Sequence, residues 1–153
     1  MNKHVKISLI VLVAVVLLLA VTIPSLAKNP DKFFTLRADY VSDLVSFTYT
    51  GSFDSDGAID DKGPSWGHWV RQPGGRRGMS FFQSEVNTED MFVIEWKIPW
   101  FDFDDEDCVD GTFTIITSLG TGKYEGLWGT GTLKSCRPGM GDTGYMILEG
   151  RVP

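Results

Sequence analysis

Whatever chemistry this sequence offers rests on few side chains. Of its two histidines, His4 lies in an apolar leader, which leaves His68 inside Trp66-Gly67-His68-Trp69. A histidine between two indoles can act as a base or contact a ligand, or it can be a hydrogen-bonded wall residue. Glu95, set in the alternating run Phe92–Ile98, is the second candidate proton handler. Three-histidine zinc chemistry is excluded by count, and no histidine–carboxylate spacing suggests a zinc site. Two acidic runs offer oxygen ligands for calcium: Asp102, Asp104, Asp105 and Asp107, and separately Asp54, Asp56, Asp60 and Asp61. Neither fits an EF-hand loop, and a solvated charge run is the alternative reading for both. The aromatic residues Trp66, Trp69, Trp96 and Trp128 are candidate ligand contacts, while Trp100, Phe101 and Phe103 suit a mouth or a subunit contact. There is no G-x-S-x-G elbow and no H-E-x-x-H pair, and no cofactor is implied.

These residues are carried on a chain of 153 residues with a formal net charge of −6. Its first part reads as an address. Lys3, His4 and Lys6 form a basic head, Ile7–Ile23 is almost wholly apolar, and Pro24 precedes Ser25-Leu26-Ala27, a small-residue cleavage site. This three-part layout predicts a signal peptide over 1–27, with an uncleaved membrane anchor as the alternative. Residues 1–27 hold two lysines and no acid, so cleavage takes the net charge from −6 to −8. Such a domain is repelled by phosphate backbones and anionic lipid, so neither nucleic acid nor, after cleavage, a membrane is an expected partner. The expected location is outside the cytoplasm.

Residues 28–153 fit one domain. Glycine is abundant at 17 residues and aromatics make up 12%. Short apolar runs recur between turn-forming clusters and predict strands over Phe33–Tyr40, Val45–Phe53, Trp66–Gln72, Met79–Ser84, Met91–Ile98, Thr112–Leu119, Leu127–Lys134 and Gly144–Val152. Val45, Phe47, Tyr49 and Phe53 alternate with hydroxyl residues, which is the period of a half-buried strand. No helical stripe of 10 to 15 residues is present beyond the leader, so crossovers are missing and the sheet must be antiparallel. Phe33–Leu44 is the one segment where a short helix could hide. Eight strands suggest a barrel or a sandwich; the barrel is favoured because closure removes edges. Asp54–Gly63 and Asp102–Asp110 read as acidic loops, and Gln72–Gly78 as a flexible basic tip carrying Arg76 and Arg77.

Cys108 and Cys136 are the only cysteines. In an exported chain an even count favours a disulfide. Their midpoint falls at residue 122, inside the turn joining Thr112–Leu119 to Leu127–Lys134. The two thiols therefore lie equidistant from one hairpin tip and can face each other at its open end. A redox role has no support, since there is no C-x-x-C and the acidic neighbours of Cys108 raise a thiol's pKa.

That hairpin is the most distinctive stretch. Its glycines do not make a phosphate cradle, because Gly122-Lys123-Tyr124 lacks the hydroxyl residue and the following helix such a loop needs. The sequence Gly111-Thr112-Phe113-Thr114-Ile115, then Gly120-Thr121-Gly122-Lys123-Tyr124-Glu125-Gly126, then Gly129-Thr130-Gly131-Thr132 resembles the signature hairpin of allene oxide cyclase-like barrels and of dirigent proteins. The resemblance covers Gly111–Thr132. It implies a calycin-like, eight-stranded antiparallel barrel, often trimeric, with hydrophobic small molecules as ligands. It carries over no catalytic residue.

Three functions follow as expectations. The first is a binding or guiding module for a small hydrophobic molecule in the barrel lumen. The second is a cyclase or isomerase using His68 or Glu95. The third is an assembly or adhesive module with a filled barrel and no ligand. A roomy aromatic lumen favours the first two, and a filled lumen with an exposed aromatic patch favours the third.

Overall fold

The computed structural model describes residues 32–99, 108–137 and 142–153. The proposed signal segment, Trp100, Phe101, Phe103 and the acidic run Asp102–Asp107 lie outside the described residues. Eight strands follow in order: β1 Lys32–Asp43, β2 Thr48–Gly57, β3 Asp61–Gln72, β4 Gly75–Gln83, β5 Met91–Pro99, β6 Cys108–Ile115, β7 Gly129–Cys136 and β8 Thr143–Val152. Each pairs antiparallel with its neighbour, and β8 pairs with β1, so the sheet closes. The only described helical pieces are two 3₁₀ turns of three residues, Thr117–Leu119 and Gly122–Tyr124. The all-β antiparallel barrel expected from the alternation is what forms, and Phe33–Leu44 carries strand β1 rather than a helix.

Strand parity builds the core. Phe34, Leu36 and Ala38 on β1, Tyr49 and Phe53 on β2, Phe82 on β4, Phe92, Ile94 and Trp96 on β5, and Leu148 on β8 all bury inward. Phe82 stacks on Phe92 at 4.9 Å between centroids, and Phe53 meets both edge-on. Eight strands enclose just enough space for side chains, so large rings need small partners across the wall. Phe113 packs over Gly131 and Gly150, and Trp96 packs over Gly78. A Cβ at Gly78 would fall onto the Trp96 indole. Gly78→Ala is therefore expected to cost about 1–3 kcal/mol by overpacking, read as a lower midpoint in urea unfolding.

Several boundaries differ from expectation, for local reasons. Val45 and Phe47 were expected on a strand face but lie in the turn between β1 and β2. Asp43 makes that turn, its Oδ1 accepting the backbone N–H of Val45 at 2.8 Å and of Ser46 at 3.3 Å. The acidic stretch after Asp54 is mostly strand, with only Ala58–Asp60 between β2 and β3. The basic tip shrinks to Pro73-Gly74, because Gln72 and Gly75 already pair in register.

The barrel's two ends are unlike. At one end the chain from Gly120 to Gly126 folds across the opening. Thr121 N–H donates to Met91 O at 2.8 Å, and Lys123 N–H donates to Asp90 Oδ1 at 3.1 Å. Gly122 has φ +59°, and a Cβ there would strike the Asp90 carboxylate, so glycine is required twice over. The glycines thus shape a plug. Its anchor is Tyr124, whose ring packs on Phe92 at 5.1 Å and whose hydroxyl donates to Asp61 Oδ2 at 2.8 Å. The other end carries the β1–β2 turn, the β3–β4 tip and the cysteines. Cys108 and Cys136 sit opposite each other in the β6–β7 register and form a disulfide, at the place the hairpin midpoint indicated.

Candidate functional site

Among the described residues, space remains inside the lumen toward the disulfide end. Trp69, Gly78 and Trp96 lie in one register row across β3, β4 and β5, so the two indoles face each other across a glycine. Tyr49 lies beside them, its hydroxyl accepting Trp96 Nε1–H at 3.3 Å and bonding Ser80 Oγ at 2.5 Å. Burial pushes the Tyr49 hydroxyl up to about 12, with the bonds to Ser80 and Trp96 opposing the rise, so it stays protonated over the physiological range. The Tyr40 ring lies tilted against Tyr49 at 5.5 Å between centroids, and its hydroxyl reaches Ser135 Oγ at 3.3 Å. These side chains form an aromatic floor with hydroxyls on it.

Above this floor stand arginines. Arg71 and Arg76 are opposed across the β3–β4 hairpin, on the inward parity of Trp69 and Gly78. The Arg76 guanidinium lies over the Trp69 ring at 4.6 Å. Arg137 follows Cys136 and donates from Nη2 to Ser42 Oγ at 3.0 Å. Burial pulls the Arg76 pKa down, and the nearby charges of Arg137 and Arg71 pull it further. Like charges gathered at one rim repel one another. A second cost sits beside them: Phe47, with no glycine's freedom, adopts φ 56° while its ring meets Trp69 edge-on at 4.8 Å.

The space between these groups measures about 40 Å³ and is lined by Tyr40, Ser42, Tyr49, Trp69, Arg76, Trp96, Ile98, Ser135, Arg137 and Met146. That is room for roughly two or three waters. Toward the plugged end the lumen is filled by Phe53, Phe82, Phe92 and Ile94. A whole drug-sized ligand needs about 300–1,000 Å³, so the described lumen takes a small group and not a long chain.

Of the residues singled out in the sequence, the fold brings together Trp69 and Trp96. It puts Trp66 and His68 on the outer wall, since both have the opposite parity to Trp69 on β3. His68 is exposed there, and Trp66 stacks on Phe81 at 5.6 Å. Glu95 also faces outward, in an ion pair with Arg77. Trp128 stands 56% exposed before β7. Lumen chemistry by His68 or Glu95 therefore has no geometric basis. Among the described residues no group of three His, Cys, Asp or Glu side chains is placed to hold a metal ion. Asp61, read as one of an acidic cluster, is instead a buried hydrogen-bond acceptor at the plugged end. The reading missed Tyr40, Ser42, Ser135 and Arg137. Their signal was parity: Tyr40 and Ser42 continue the inward series of Leu36 and Ala38.

Against known protein families, curated proteins and solved structures, the chain shows no match. The fold and the mouth therefore define it only as a small closed antiparallel barrel, plugged at one end and lined with aromatic and cationic groups at the other.

Proposed function

We propose that this chain is an exported binding module that seats a small, largely apolar molecule at the open mouth of its barrel. The observation that carries this reading is the contrast between the two ends. One is closed by a hydrogen-bonded plug, whereas at the other the described residues leave a small space over a buried aromatic floor. The apolar leader and the disulfide support export. The plug is built from the residues that resemble the allene oxide cyclase-like and dirigent-like hairpin, and membership of that group is part of this reading. The ligand rests on the mouth rather than threading the lumen.

The test is a calorimetric titration with 2-naphthalenemethanol, a flat neutral probe. Binding is expected in the wild type, and Trp96→Ala is expected to weaken it at least tenfold by removing half of the floor. His68→Ala is expected to leave it unchanged, because His68 faces outward. Equal loss in both variants, or no binding to the wild type, would overturn the assignment.

A second reading is assembly. On the outer wall Trp66 and Phe81 pair in register and stack at 5.6 Å between centroids, both partly exposed. This apolar strip, with the exposed Trp128, suits contact between copies, and the family resemblance suggests a trimer. Analytical ultracentrifugation separates this reading from a monomeric binder.

A further inference from the structure

We infer that the outer wall of the barrel carries a second binding site, a furrow across β1, β8 and β7 that takes a neutral sugar ring. It is separate from the mouth and does not depend on the reading given to the mouth.

The furrow follows from strand parity. Phe33, Arg151 and Thr130 form one outward register row, and Thr35, Glu149 and Thr132 form the next. The row between them, Phe34, Gly150 and Gly131, points inward, so backbone makes the floor. Glycine is required there from within: a Cβ at Gly150 would lie 2.6 Å from the Phe113 ring and 2.8 Å from that of Phe34. The space between the two outward rows measures about 460 Å³. That falls in the range of about 300–1,000 Å³ typical of small-molecule sites.

The lining selects the ligand. Glu149 and Arg151 lie two residues apart on one face of β8, yet neither forms an ion pair with any described residue. Arg151 is held instead over the Phe33 ring, at 4.3 Å from its centroid. The side chains of Thr35, Thr130, Thr132 and Glu149 make no hydrogen bond to a described residue. One row therefore offers a cationic donor and the other an anionic acceptor, with hydroxyls on both. A sugar hydroxyl donates and accepts at once, so a ring bearing several can bridge the two rows. A free anion meets Glu149 and a free cation meets Arg151, which favours a neutral polyol over either. Phe33, 64% exposed, supplies an apolar edge for the C–H face of the ring.

A neighbouring furrow shows the contrast. It measures about 610 Å³ and is lined by Arg37, Asp39, Asp54, Lys62 and Glu85. There Arg37 pairs with Asp39 at 2.8 Å and Lys62 with Glu85 at 3.1 Å, so most of its charges are already spent on each other.

The experiment titrates the disulfide-bonded protein with methyl β-glucoside, methyl β-galactoside and methyl α-mannoside, followed by backbone amide NMR shifts. At least one of the three is expected to bind and to shift the amides of Thr130, Thr132 and Glu149. The glucuronide counterpart is expected to bind about threefold more weakly, and Glu149→Gln to abolish that difference. Glu149→Ala is expected to weaken the neutral glycoside about fivefold through lost hydrogen bonds to a charged group, whereas Asp54→Ala in the other furrow leaves it unchanged. All three side chains altered are exposed, and the amide spectrum reports whether each variant is folded. Absence of binding by all three glycosides, shifts confined to the mouth around Trp69 and Trp96, or equal loss in the Glu149 and Asp54 variants would overturn the inference. None of these results bears on the naphthyl probe, so the mouth reading is tested separately.

Discussion

Asp61→Ala is expected to destabilise the barrel by about 3–5 kcal/mol, the largest effect of any single substitution considered. The Asp61 carboxylate is almost fully buried, its side chain 3% exposed. Oδ1 accepts Ser84 Oγ–H at 2.9 Å and its neighbour's backbone N–H, from Lys62, at 2.8 Å. Oδ2 accepts the Tyr124 hydroxyl at 2.8 Å and pairs with Lys123 Nζ at 3.0 Å. One side chain thus ties the start of β3 to the β4–β5 connection and to the plug. Removing it strands the buried Tyr124 and Ser84 hydroxyls. Lys123 is half exposed and can turn to water, so its share of the loss is small. Asp61→Asn keeps the shape but loses acceptor capacity and charge, and a smaller cost of about 2 kcal/mol is expected.

The same site gives the protein an acid limit. Burial raises the Asp61 pKa, but the bonds from Tyr124, Lys123, Lys62 and Ser84 outweigh it and hold the carboxyl below its ordinary value. A carboxyl lowered in the folded state contributes stability that is complete above the unfolded value, about 3.9. That contribution is lost as pH falls through the folded value. Urea unfolding measured from pH 7 to pH 2.5 is therefore expected to weaken in acid for the wild type and to weaken less for Asp61→Asn. A pH profile identical in the two would remove Asp61 from this role.

The second large effect belongs to the disulfide. Cys108 and Cys136 are 28 residues apart in sequence, and a closed loop of that size contributes about 3–4 kcal/mol by restricting the unfolded chain. The double variant Cys108→Ser, Cys136→Ser is expected to lose that amount and still fold, because β6 and β7 remain paired from Val109–Ser135 to Ile115–Gly129. Comparing oxidised and reduced wild type gives the same test without mutation. A difference under about 1 kcal/mol would mean that the unfolded chain is already constrained at this hairpin. The bridge sits one residue before Arg137, so its loss is also expected to loosen the rim and weaken binding of any probe held by that arginine.

The architecture was legible in the sequence because alternation is a local signal. Phe92, Ile94, Trp96 and Ile98 announce an inward face without any tertiary information, and equal spacing of Cys108 and Cys136 from one tip announces their register. The site was legible only in part. Trp66, His68 and Trp69 are close in sequence, but period two sends them to opposite faces, so grouping them as one lumen cluster conflicted with the geometry of a strand. Arg76 looked like part of a solvated tip because Gly74 and Gly75 hide how tight the turn is; a two-residue turn puts Arg76 on the wall. Asp61 could not be separated from Asp54, Asp56 and Asp60 by composition. What distinguishes it is Tyr124, 63 residues away, and that pairing exists only once the barrel closes.

The most direct test of the account is native mass spectrometry of the protein, purified without reductant from the organism that makes it. The expected spectrum shows the disulfide-bonded chain carrying a bound molecule of small mass, with the adduct lost in Trp96→Ala and kept in His68→Ala. A clean protein mass in the wild type, or an adduct indifferent to Trp96, would contradict a binding site at the mouth of the barrel.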